Sequence, residues 1–202
     1  LRSGCVDGCP HHTPRAKAVI FLYMDGGPSQ VDTFDPKPLL QRDDGRPFPM
    51  KKEPTQFNDN GNTLGSPWTF RPGGECGTPV SDLFPKVREL MDRIAVVRSM
   101  HADFSEHTNG NYFLHTGHGL QGRPSMGAWV DYGLGCASRD LPAFVVFTSG
   151  QYAPDGGASL WGSGFLPSVY QGVRFRSGGD PVLYLGNPPG MEDADRRRSL
   201  DA

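Results

Sequence analysis

The chain has 202 residues, the size of one ordinary domain. Twenty Lys and Arg against 22 Asp and Glu leave it close to neutral, which removes the electrostatic case for nucleic acid or an anionic membrane surface as partner. No apolar run nears the ~20 residues that span a bilayer, while Gly (27) and Pro (19) make nearly a quarter of the chain, against roughly 12% on average, and favour long shaped loops over extended helices.

Residues 1–16 read as an irregular, polar lead-in. Within them Cys5 and Cys9, followed by His11 and His12, look superficially like zinc ligands, but the spacing is not a standard knuckle and no second pair follows. With Cys76 and Cys136 there are four cysteines, and an exported chain could pair them in three ways. Residues 17–24 (Lys-Ala-Val-Ile-Phe-Leu-Tyr-Met) predict a first strand, apolar enough to be buried on both faces of a parallel sheet. Pro36-Lys37-Pro38-Leu39-Leu40 predicts a short helix opened by proline. Residues 43–78 are a Gly-, Pro-, Asn- and Asp-rich excursion too long for an ordinary connection, and Phe57, Trp68 and Phe70 argue that it packs.

Residues 79–94 carry a helical period in Leu83, Val87, Leu90, Met91 and Ile94, with Ser81 as N-cap. Residues 95–100 predict a second strand, so that strand, helical crossover and strand form a right-handed βαβ unit. A helix is predicted from His107 or Thr108 to Gly117, and another over 125–134, with Ser125 as N-cap and Gly135 past its end. Residues 143–147 predict a third buried strand and 182–185 a fourth. The sum is an α/β domain over 17–190, a mostly parallel sheet flanked by helices, followed by a charged tail at 191–202 that lacks apolar periodicity.

Two clusters follow the first two predicted strands. Asp25 ends the first, beside Gly26, Gly27, Ser29 and Gln30; a carboxylate followed by backbone that admits close approach suits a divalent cation or an oxyanion. The same residue before glycine also suits a plain turn cap. The second cluster holds His101, Asp103, Ser105, Glu106, His107, Thr108, Asn109 and Asn111 at a helix start, whose free N–H groups and partial positive charge favour phosphate or sulfate. Ser105 or Thr108 could equally be simple caps, and His107, Asn111 and His115 could be hydrogen-bonded groups beside a core. If the two strands are parallel neighbours, both clusters face one cleft.

The run from Ile20 through Asp25-Gly26-Gly27-Pro28-Ser29-Gln30 to Asp35-Pro36-Lys37-Pro38 resembles the opening signature of the domain-of-unknown-function family 1501. The resemblance continues through Val97-Arg98-Ser99-Met100, Glu106-His107-Thr108-Asn109, Leu114-His115-Thr116-Gly117-His118 and Pro124-Ser125-Met126-Gly127-Ala128-Trp129-Val130, and covers roughly residues 15–185. It implies an exported, periplasmic or cell-envelope, sulfatase-like protein with the fold of the alkaline phosphatase superfamily. It further implies a metal-dependent hydrolase of small-molecule or polysaccharide sulfate or phosphate esters. Asp25 takes the place of a metal-binding aspartate, the metal being zinc, calcium or manganese. Ten residues before Gly117, where that superfamily carries a hydroxyl or thiol nucleophile, stands His107, with Thr108 and Ser105 at hand. Gly26, Gly27, Ser29, Asn109 and Asn111 would hold the ester oxygens. No histidine follows His118 to complete the superfamily's metal site, so the resemblance presents the chain as the amino-terminal part of a domain incomplete at its carboxyl end. The alternative is an exported, non-catalytic binding or assembly module that keeps the fold and lacks the chemistry.

Overall fold

The computed structural model describes residues 15–52, 60–138, 140–149, 153–176, 178–183, 186–187 and 189–200. The cysteine–histidine lead-in and Phe57 lie outside these residues. The chain divides into two units, Phe21–Gly110 and Leu1–Ile20 with Asn111–Ala202.

In the first unit, α1 (Pro38–Arg42) forms where the prolines predict it, with proline in its opening turn, where a missing N–H has no helical partner to lose. The organising element is a hairpin. Strand β1 (Phe70–Gly73) pairs antiparallel with β2 (Thr78–Ser81), and Pro72 stands opposite Pro79. A two-stranded ribbon tolerates this pair because both strands are edges. Gly74 and Gly77, both with positive φ, turn the chain between the strands. Val80 and Ser81 of β2 are buried, as is Met91, which packs against Gly73 of β1. Asp82 anchors it from the side, accepting from Arg88 Nη1 at 2.7 Å and Arg71 Nε at 3.1 Å. The Ser81 N–H donates to the Thr33 carbonyl (2.9 Å), the Phe34 and Phe84 rings meet at 5.1 Å, and Arg98 Nε donates to the Phe34 carbonyl (3.0 Å).

This arrangement corrects the helix expected over 79–94. Only α2 (Pro85–Arg88) and a 3-10 turn at Met91–Arg93 are helical there. Ser81 lies in β2, and its Oγ accepts from the Leu83 N–H at 3.3 Å, so it closes a turn rather than capping a helix. The apolar spacing was real, but the hairpin claims its first residues and Pro85 restarts the helix.

Helix α3 (His107–Thr116) starts in the first unit and ends in the second, against Gly117 at φ 75°; in the second unit α4 (Met126–Leu134) begins at Ser125, whose buried Oγ accepts from the Ala128 N–H at 3.4 Å. Gly135 at φ 68° follows α4, as its sequence predicts. The glycines of this unit make room for rings: a Cβ on Gly127 would lie 2.4 Å from Phe144 Cζ, and one on Gly172 would crowd Val146, Phe144 and Trp161. Trp129 contacts both Phe165 (5.8 Å) and Tyr132 (6.0 Å) edge-on, and Tyr132 meets Tyr170 at 5.3 Å in the same way. The charged tail forms α5 (Asp193–Leu200), with Asp193 and Asp195 in its first turn and Arg197 and Arg198 in its last, as the helix dipole favours.

The expected α/β fold, a mostly parallel sheet flanked by helices, is overturned. The described residues hold two sheets of two strands each. The parallel one pairs β3 (Val145–Phe147) with β4 (Val173–Phe175), three residues a side. Residues 17–24 and 95–100 are not strands. A parallel strand needs partners at its edges and cover on both faces; here Leu22 is 88% and Ile20 83% exposed. The third strand exists but is shorter than expected and not buried, with Phe147 78% exposed. Of the fourth, Val182 and Leu183 lie in a bend and a turn, and Tyr184 and Leu185 fall outside the described residues.

Candidate functional site

The Asp25 segment is an open turn. Gly26 (φ 84°) and Gly27 (φ 65°) are both in the left-handed region, and a Cβ on either would meet nothing within 4 Å. Two successive glycines with positive φ explain why the apolar run stops here, since a side chain would strain both positions. The Asp25 carboxylate is exposed, and Tyr23 Oη donates to its Oδ1 at 3.1 Å. The Tyr23 ring in turn lies nearly parallel to Phe21. Ser29 is drawn into the next turn: its carbonyl accepts from Thr33 Oγ1 (3.0 Å), and its side chain, with that of Ser66, holds the Asp32 carboxyl below the usual range, Ser66 having the larger effect.

The second cluster is built on the start of α3. Ser105 and His107 are exposed, and Thr108 and Asn109 are half-buried. Glu106 precedes the helix and reaches forward over its first turn. The Asn109 N–H donates to Glu106 Oε2 at 3.0 Å, and hydrogen bonds from the Thr108 N–H and then from the Asn109 N–H hold the Glu106 carboxyl below its ordinary range. The N–H groups that the sequence offers to sulfate or phosphate therefore already serve a carboxylate of the chain itself. Glu106 is the residue whose role the sequence reading missed. The signal was its position, an acid beside the first turn, where the dipole stabilises negative charge.

Asn111 is buried in the second unit, where its Nδ2 donates to the Asp155 carbonyl at 2.8 Å, one residue before the left-handed Gly156. His115 Nδ1 lies 2.9 Å from the Asn111 carbonyl. Asp25 and His107 belong to the same unit. Among the described residues, however, no three His, Cys, Asp or Glu side chains gather as a metal would require. The described residues around Asp25 thus do not by themselves supply the several ligands that a divalent ion takes. Nor is any described helix long and apolar enough to cross a membrane.

Comparison with known families gives a match over residues 16–202 to the family described as "Protein of unknown function (DUF1501)". No curated protein and no solved structure matches the chain.

Proposed function

The chain belongs to the DUF1501 family, and from that premise we propose that it is an exported, non-catalytic binding module. The observation that carries this reading is the Glu106 carboxylate over the first turn of α3. A catalytic oxyanion site needs donors aimed at the place where charge develops. At this helix start the two N–H groups meet the module's own anion, which repels another. Exposed apolar segments such as residues 19–22 suit a module that works in company.

The test is titration of the full chain with inorganic sulfate and inorganic phosphate, read on the amide resonances of Thr108 and Asn109. Unmoved resonances at low millimolar anion, with no turnover of p-nitrophenyl sulfate or phosphate, support the module. Saturable shifts of both amides, or turnover, would overturn it.

A second reading, a metal-dependent hydrolase of sulfate or phosphate esters, is favoured by the exposed Asp25 carboxylate at a glycine turn open to a ligand. It requires donors beyond those the described residues assemble. Elemental analysis separates the two: stoichiometric zinc, calcium or manganese that is lost in Asp25→Ala supports the hydrolase.

A further inference from the structure

A cleft of about 490 Å³ opens between α1 and the segment leading into β1. Its walls are the rings of Pro36, Pro38, Trp68 and Phe70. Trp68 is 46% exposed, a large aromatic face turned partly to solvent. Polar groups stand around these rings: the Gln41 amide, the Ser66 hydroxyl, the Lys37 ammonium and the Arg42 guanidinium.

The cleft is held in shape from behind. The Trp68 N–H donates to Ser66 Oγ at 3.3 Å, and Ser66 bonds the Asp32 carboxylate. The Gly65 N–H donates to Asp44 Oδ1 at 2.8 Å, and the Gln41 amide lies where a Gly65 Cβ would be, 3.1–3.2 Å away. Paired backbone bonds between Gly45, Arg46 and Thr63 fasten the same segment to the end of α1. The two cations are positioned by half-shielded acids. Lys37 Nζ sits 2.7 Å from Asp35, which Arg98 also approaches; Arg42 forks onto Asp43, which Arg46 shares. Each of these two carboxylates is thus divided between two cations. Lys37 and Arg42 stay more than half exposed, with more donors than one carboxylate can use.

We propose that this cleft binds a sugar unit of an acidic polysaccharide. A pyranose ring has apolar C–H faces that lie on an aromatic ring and hydroxyls that need amide and hydroxyl partners at its edge. An acidic substituent would meet Lys37 and Arg42 at the rim. An open cleft with ring walls and a few polar groups at its rim suits one face of a single sugar unit. A proline-rich peptide, the other ligand that an aromatic and proline surface suits, would make no use of the donors that Lys37 and Arg42 keep beyond their ion pairs. The assignment rests on the binding-module reading and names its ligand class.

The test is titration of the full chain with a sulfated galactan tetrasaccharide, the same tetrasaccharide without sulfate, inorganic sulfate and a proline-rich decapeptide. The readout is the indole N–H resonance of Trp68, assigned by its absence in Trp68→Phe. The expected result is a saturable shift with the sulfated sugar, weakened about tenfold in Lys37→Ala with Arg42→Gln and weakened less for the desulfated sugar. Gln41→Ala, which removes an exposed amide from the edge of the cleft, should weaken both sugars. No shift with either sugar, a shift with the peptide alone, or equal binding of inorganic sulfate would overturn the proposal. Ester turnover measured on the same samples reports separately: turnover would overturn the module reading and leave the sugar site standing.

Discussion

Asp92 closes the hairpin by holding Cys76. Its Oδ1 accepts the Cys76 N–H at 2.8 Å, while its Oδ2 accepts the Glu75 N–H at 3.0 Å. The carboxylate fills the space beside Gly74, where a Cβ would lie only 2.4 Å from Oδ1. One side chain from the 3-10 turn at Met91–Arg93 thereby fixes the β1–β2 connection.

This pairing predicts an acid-sensitive hairpin. The Cys76 N–H, and after it the Glu75 N–H, hold the Asp92 carboxyl below its ordinary range. A carboxyl more acidic in the folded chain than in the unfolded one contributes stability that is present above the unfolded pKa and lost as pH falls through the folded one. Asp92→Asn should therefore lower the melting temperature at neutral pH. The gap from the unsubstituted chain should narrow from about pH 4 downward. Thermal melts across pH 2–7 check it, and a gap constant with pH would refute it.

Glu106→Gln should loosen the start of α3. The same sign applies, since the Glu106 carboxyl is held down by the Thr108 and Asn109 N–H groups. Hydrogen exchange at those two amides should quicken several-fold at neutral pH, while the amides of α4 stay unchanged. Equal quickening in both helices would point to global destabilisation instead.

Ser125→Ala should destabilise the second unit by about 1 kcal/mol, the usual loss on removing an N-cap. The hydroxyl is buried and accepts the Ala128 N–H, so Ser125→Thr should recover most of the loss. Urea denaturation followed by circular dichroism measures both.

Gly127→Ala should be destabilising by roughly 1–3 kcal/mol, because the new methyl would overlap the Phe144 ring. Gly178→Ala is the control: its Cβ meets nothing within 4 Å, so the change should stay within about 0.5 kcal/mol. Similar losses at both positions would disprove the packing described around Phe144.

Exposure separates two apolar positions that look alike in sequence. Val80→Ala, at a fully buried site, should cost about 2 kcal/mol. Leu22→Ser, in the exposed run, should change stability by less than about 0.5 kcal/mol. A large loss at Leu22 would mean that the run is covered in solution.

What could be read from sequence was what the chain decides locally. Ser125 and Gly135 bracket α4, Gly117 stops α3 and proline opens α1, because caps and breakers act within one turn. The strands were misread because an apolar run states only that it can be buried, not what lies beside it. Residues 17–24 have the composition of a central strand and, among the described residues, no strand beside them. The β1–β2 hairpin was overlooked because prolines at 72 and 79 argue against strands everywhere except at an edge. At the candidate site, sequence located the Asp25 turn and the start of α3 but assigned the helix amides to a ligand, when the neighbouring Glu106 competes for them at no cost in translational entropy.

The open run from Val19 to Met24 also has a consequence for handling the protein. Six consecutive uncharged residues, rich in β-branched and aromatic side chains and without proline or glycine, make a self-stacking fibril motif. Left accessible, that hexamer is a hazard for stacking between copies of the chain.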